Sequence, residues 1–505
     1  MAAGTAELTL PMRPFPGAFL PARQALLVAL ASGLVSACAV PSDGPRLSPA
    51  TPATMGLAAA ASVDTPAIAP DWWQALGDPQ LDRLIADALS GNPTLAGAEA
   101  RLAAARAALG EAKAARLPHA EANASLERER FSANYIYPPP YGGQYYWISD
   151  AETDLSWSLD LAGRQRALVR AAGARANAAA LDTAAARVAL SGAMAQAYIA
   201  FANTDAQLTL ADERIATRRE WLKLSEARVA SGLAGEIELR ATQAAVANAL
   251  QTQAHARGER ELALHLLAAL AGRGVDYAAA ITPPTLHTDT ALPLPTRLSA
   301  DLLGQRADIL AARARIDASV AERSARRADF YPDIDLSAFI GLQSLGIGML
   351  AHGSSGILGA GPALHLPIFE GGQLTAAYRA ATAQNDAAIA AYNEAVVRGV
   401  REAADALSAV ATSAAETESQ RAVVGSVFAG VKLIQSRVDN GLEARSDLIG
   451  ANDALITAKS SMATIAAEGA TRRIRLLVAL GGGFTPLPPS GARAPSDNSV
   501  SRPQP

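Results

Sequence analysis

The residues that could do chemistry are few for a chain of 505 residues. The six histidines, His119, His255, His265, His287, His352 and His365, never stand at the spacing at which two rings share a metal. No serine sits in a nucleophile elbow with histidine and acid partners. The Gly-rich "GIGMLAHG" lacks the βαβ setting that a nucleotide loop needs. Cys38 is the sole cysteine, so no internal disulfide can form. What stands out is acid at every second residue. In "SDAETDLSWSLDLAGRQR" these are Asp150, Glu152, Asp154 and, further on, Asp160; after Pro332 they are Asp333 and Asp335. Nothing here composes a catalytic constellation. The acids compose a face.

A face needs a strand. Ala151, Thr153, Leu155, Trp157 and Leu159 alternate with the acids, and period two means one wet and one apolar side. After Pro332 the apolar set is Ile334, Leu336, Ala338, Ile340 and Leu342. Both strands lie between Ala-rich stretches that read as long helix. The arrangement is duplicated. "NPTLAGAEARLAAARAALGEAKAARLPHAEANAS" aligns with "RADILAARARIDASVAERSARRADFYPDIDLSA", each a helix halted by a proline. "LSWSLDLAGRQRALVR" aligns with "LHLPIFEGGQLTAAYR", pairing Leu155 and Trp157 with Leu364 and Leu366. Gly163 and the pair Gly371-Gly372 then turn strand into helix, while Gly232 and Gly441 suit left-handed helix ends at matching hairpin tips. The long helices run from about Arg164 to Ser231 and from Gly372 to Asn440. At 1.5 Å per residue each is roughly 100 Å long, more than a globular domain uses. Two strands per half give four per chain, too few to close a barrel alone.

Half the residues are hydrophobic, much of that alanine, and only 5% are aromatic. Alanine buries little area, which suits slender, close-packed helices. The net charge of −4 argues against nucleic acid as a partner. The apolar run "ALLVALASGLVSAC" is too short to span a bilayer and reads as a signal-peptide core, with Met1 or Met12 as the start. The expected order is a signal peptide at 1–37, an extended linker at 38–70, a first repeat at 71–281, a second at 282–482 and a disordered tail at 483–505. The first repeat holds a helix at 92–117, strands at about 119–131 and 150–161, and a helical hairpin at 164–271. The second holds a helix at 306–331, strands at about 333–345 and 358–368, and a hairpin at 372–480.

Taken together, these elements resemble the outer-membrane factor family of efflux systems, the TolC-like channels, and within it the lipoprotein OprM/NodT-type branch. The matching residues are "WWQALGDPQLDRLIADAL", "WSLDLAGRQR", "LPTRLSADLLGQRADILAARARI", "LPIFEGGQL" and "ALGGG". Val35-Ser36-Ala37-Cys38 resembles the bacterial lipobox, which implies cleavage before Cys38 and a covalent lipid (palmitate among its chains) on the thiol. The resemblance implies a mainly α fold with a β-barrel part. It also implies a homotrimer with a 12-stranded barrel in the outer membrane, an α-helical tunnel in the periplasm and no enzymatic activity. Its partners would be a periplasmic adaptor and an inner-membrane pump of the RND type, passing small molecules such as antibiotics outward. The alternative is a periplasmic coiled-coil scaffold lipoprotein without a pore.

On that resemblance Asp150, Glu152, Asp154, Asp160, Asp333 and Asp335 face the lumen. Leu155, Trp157, Leu159, Ile334, Leu336, Leu364 and Leu366 face lipid. Two departures stand at the tips: Val229 and Val438 replace an aromatic, and Gly450 stands where members with an acidic ring place the acid. Asp439, Glu443, Arg445 and Asp447 are then either a gate closed by interchain charge contacts or a solvated helix end. The cluster Tyr135, Tyr137, Tyr141, Tyr145, Tyr146 and Trp147 is either an extracellular constriction or interfacial girdle, or a self-packed loop. His365 is a pore-lining or an ordinary surface residue, and Arg128 and Arg130 break the apolar side of the first strand at the membrane rim.

Overall fold

A computed structural model describes residues 40–41, 44–51, 54, 68–285 and 304–484. Cys38, the apolar run before it and the tail beyond 484 lie outside the described residues. The chain divides into two compact units. Among the described residues, the first holds Ala112–Leu168 and Ala321–Ala383; the second holds those of Pro45–Glu111, of Val169–Val320 and from Gln384 to Phe484.

The elements come in two matching series. After a short helix α1 (Pro79–Gly91), the first series is α2 (Pro93–Ala114), β1 (His119–Arg130), β2 (Tyr145–Ser158), α3 (Arg164–Ala230) and α4 (Glu236–Leu270). The second is α5 (Ala307–Ala328), β3 (Asp333–Leu345), β4 (Gly356–His365), α6 (Gln373–Asp439) and α7 (Arg445–Ala479). α3 and α6 have 67 residues each, and α4 and α7 have 35 each. No helix among the described residues is long and apolar enough to cross a membrane.

The first unit is built on one antiparallel sheet in the order β1-β2-β3-β4. β2 differs from the expected 150–161, starting five residues earlier and stopping three sooner. The early start follows from the closed hairpin: the Phe131 N–H donates to Gln144 O and the Gly143 N–H to Phe131 O, which aligns Arg130 with Tyr145. The early stop comes from Asp160, whose φ of 50° ends extended backbone. Leu159 and Asp160 therefore lie past β2, and Leu366 lies past β4. Leu159 still donates its N–H to Ile334 O, but Leu366 is half-buried outside the sheet, which corrects its expected place on the strand.

The second unit sets long helices side by side. Arg260 of α4 binds Asp205 of α3 at 2.6 Å, and Arg218 of α3 binds Asp453 of α7 at 2.7 Å. Arg472 of α7 binds Glu416 of α6 at 2.6 Å. The helix order is thus α4, α3, α7, α6. Small residues let the backbones approach: a Cβ added at Gly192 would come within 2.5 Å of Val478, and one at Gly469 within 2.6 Å of the Ser413 hydroxyl. That is how an alanine-rich chain packs without bulky side chains.

Two buried polar clusters lie at mid-length of the long helices, at Tyr198 of α3 and at Glu402 of α6. The Asp78 carboxylate accepts from the Gln80 N–H at the start of α1, from the Tyr198 hydroxyl at 2.7 Å and from the Thr285 N–H at 2.9 Å. Burial pushes this carboxyl up, but the three donors more than offset it and hold it below its ordinary value. Burial, together with the hydrogen bond to Asp78, pushes the Tyr198 hydroxyl well above the ordinary tyrosine range. At the start of α5, buried Arg306 forks onto Asp308 at 3.0 and 2.8 Å, reaches Glu402 at 2.9 Å and donates to Ala479 O. Burial opposes the Arg306 charge, yet these two carboxylates keep its pKa raised.

Candidate functional site

The strand register sorts the sheet into two faces, because directly opposed residues of antiparallel strands share a side. Ala120 opposes Leu155, which opposes Ala338, which opposes Ala360. Ala122, Thr153, Ile340 and Leu358 form the next row. Trp157 opposes Leu336, and Ile334 opposes Leu364. This face is apolar and open: Ile340 is 66% exposed and Leu358 82%. Two expected members of it, Leu159 and Leu366, stand beyond the strand ends.

The opposite face carries the acids. Glu121, Glu127 and Glu129 of β1 join Asp150, Glu152 and Asp154 of β2 and Asp333 and Asp335 of β3, with no lysine or arginine among them. Asn123 donates to Asp154 and Ser158 to Asp333, while Asp333 opposes His365. The β3–β4 half is milder: Phe339 lies over Gly359, where a Cβ would come within 2.5 Å of its ring. Only the first copy of the strand pair concentrates charge.

Asp160 departs from the expected lumen-facing role. Only 9% exposed, it turns its carboxylate onto the start of α3, accepting from the Gln165 N–H at 2.7 Å and the Arg166 N–H at 2.9 Å. The Arg166 guanidinium adds a third contact at 3.0 Å. A carboxylate on the free N–H groups of a first helical turn is a capping device. The signal in the sequence was an acid just ahead of "AGRQRALVR", a helix-start pattern that the alternation obscured. Gly163 (φ 78°) then swings the chain from sheet to helix, as do Gly371 (φ 56°) and Gly372 (φ 87°) in the second copy. Arg164 binds Asp329 at 2.6 Å beside the junction, where a cavity of about 370 Å³ is lined by Asp160, Asp329, Asp333, His365 and Glu370 among others.

At both hairpin tips the backbone closes alike. Leu233 donates to Arg228 O and Gly232 to Val229 O; Leu442 donates to Arg437 O and Gly441 to Val438 O. These paired bonds are the Schellman arrangement, and both glycines have φ of 70°. The four expected gate residues do not meet as one cluster. Glu443 pairs with Arg437 at 2.8 Å, Arg445 reaches across to Glu220 of α3 at 2.5 Å, and Asp439 accepts from Gln435. Asp447 lies in the first turn of α7.

The chain matches the model of the outer membrane efflux protein family over residues 84–273 and 298–482. The chain belongs to this family. The efflux protein is 30% identical over 428 residues to a multidrug resistance outer membrane protein, MdtP of Shigella flexneri, covering 83% of this chain and 87% of that one. It is 37% identical over 323 residues to the fusaric acid resistance protein FusA of Burkholderia cepacia; the match spans 62% of this chain and 60% of FusA. Its fold matches the crystal structure of the outer membrane protein VceC of Vibrio cholerae with a TM-score of 0.75 at 30% identity, over 83% of this chain and all of that one. The expected fold class, long helical hairpins with a β-barrel part, is that of these neighbours. The efflux protein works as the outer-membrane channel of a tripartite efflux system.

The aromatic loop of the efflux protein divides between the two readings of it. Phe131 stacks on Tyr137 and Tyr146 at 4.3 and 5.7 Å, and Tyr141 and Tyr135 extend the group, a self-packed loop. Tyr145 and Trp147 instead turn to the apolar face, where each lies under Arg128. Sequence reasoning missed that division, because it began β2 at residue 150.

Proposed function

We propose that three copies of this chain close one 12-stranded barrel in the outer membrane and form a passive conduit for small molecules. The observation that carries this reading is the register: one open sheet with an apolar side and a side bearing carboxylates without a lysine or arginine. The outer edges of β1 and β4 have no partner among the described residues, and unpaired edges need closure. Two copies would give eight strands, an interior filled by side chains; three give room for water.

In this reading Leu155, Trp157, Ile334, Leu336 and Leu364 meet lipid, while Asp150, Glu152, Asp154, Asp333 and Asp335 line the water. The helices continue the passage through the periplasm toward an adaptor and an inner-membrane pump, and the tips at Gly232 and Gly441 are the end that meets them. Lipid on Cys38 anchors the other end of the linker. The relatives' names point to drug-like and aromatic cargo. A pump of the RND type would supply the energy. The charges at the tip act in pairs within one chain, Arg437 with Glu443 and Arg445 with Glu220, so opening would begin by breaking these. The mass of the detergent-purified full-length complex tests the assembly. Three chains, with a band that shifts on heating, is the expected result; a monomer without such a band would leave the scaffold alternative.

A further inference from the structure

The apolar face of the sheet is interrupted at one place. Arg128 and Arg130 of β1 stand on it, directly opposite Trp147 and Tyr145. Their neighbours Glu127 and Glu129 point to the other face, and among the described residues neither arginine has a carboxylate partner. Arg130 makes one long contact, to Gly143 O at 3.4 Å. The Arg128 guanidinium lies 5.6 Å from the Tyr145 ring centre and 5.9 Å from that of Trp147, and both rings are exposed.

The depth is set by chain length. A strand crosses the hydrocarbon in about 9–11 residues. Counted from Ala120 at the helical end of β1, the far boundary falls at about residues 128–130. Tyrosine and tryptophan belong at that level. Two arginines at i and i+2 are about 7 Å apart along a strand, close enough for both guanidiniums to reach one phosphate. The second hairpin carries no arginine or lysine between Asp333 and His365, so the feature occurs once per chain.

We propose that Arg128 and Arg130, framed by Tyr145 and Trp147, bind the phosphate of an outer-leaflet lipid headgroup. The inference rests on the reading that this face meets lipid. An aromatic pair holds the apolar part of the headgroup region, and the paired guanidiniums supply a charge that no carboxylate among the described residues neutralises. The occupant is a phosphorylated membrane lipid rather than free phosphate, because the site opens only onto the apolar face.

Purified full-length protein is titrated with lipid A, a diphosphorylated glycolipid, in mixed micelles, and bound lipid is counted by native mass spectrometry. The wild type retains the lipid and releases it when the phosphates are removed. Arg128→Gln with Arg130→Gln weakens retention at least about tenfold, and the double change to lysine restores part of it. Equal retention by the glutamine variant, equal retention of the phosphate-free lipid, or displacement by millimolar inorganic phosphate would each overturn the proposal. Single-channel conductance of the same samples separates the two readings. A conducting variant with undiminished retention removes the lipid site alone, whereas a wild type that neither conducts nor shifts on heating removes the membrane wall beneath it.

Discussion

Three side chains show how function-bearing geometry is held in place. Asp160 satisfies the first turn of α3 with its carboxylate. Replacing it with alanine is expected to cost about 1–2 kcal/mol, and asparagine less, in thermal unfolding of the purified protein. Arg306 is buried against Asp308 and Glu402. Its loss unpairs two carboxylates that remain partly exposed to water and leaves Ala479 O without its donor, so Arg306→Ala should cost about 1–3 kcal/mol. Asp78 supplies a pH signature. Its folded carboxyl lies below the ordinary value of 3.8, so its contribution is fully present above pH 3.8 and is lost as pH falls through the folded value. The stability gap between wild type and Asp78→Asn should therefore stay flat from neutral pH down to about 4 and close below it. A gap that closes near pH 6 would reject this assignment. The Asp160 role is local, and its helix-start signal was masked by the alternation. The other two depend on a donor or acceptor far along the chain, Thr285 for Asp78 and Glu402 for Arg306, which periodicity does not reveal.

Among the elements, the strands and hairpins were legible where local patterning and glycine chemistry agree. β1 and β3 begin right after their prolines, and Gly232 and Gly441 close the tips in the left-handed region, as the spacing predicts. β2 was misread at both ends: the aromatic loop zips up to Tyr145, and Asp160 leaves the strand. Facing was readable from alternation, yet the pairing of rows across four strands required the register. A charge test follows at this scale. Ile340 lies near the middle of β3 on the apolar face, and Gln343 lies on the other. Ile340→Lys should cost about 2–4 kcal/mol in bilayer-reconstituted protein, against little change for Gln343→Lys, read by denaturant unfolding. Equal costs would mean that both faces meet the same medium.

The whole molecule was legible through arithmetic rather than detail. Helices of 67 residues and four strands among the described residues are each unexplained in a lone globular protein, and the proposed shared barrel with helical hairpins would explain both. The candidate gate residues do not gather into one cluster: Arg437 holds Glu443 within its own hairpin tip, and Arg445 reaches Glu220 of α3, a partner that spacing does not reveal. The central claim is that the acid-bearing face of the sheet lines a water-filled passage. The most direct measurement is the reversal potential of the purified protein in a planar bilayer under a KCl gradient at low salt. Preference for K⁺ is expected, moving toward zero when Asp150, Glu152 and Asp154 are changed to their amides. Absence of channels, or equal passage of K⁺ and Cl⁻ by the wild type, would contradict it.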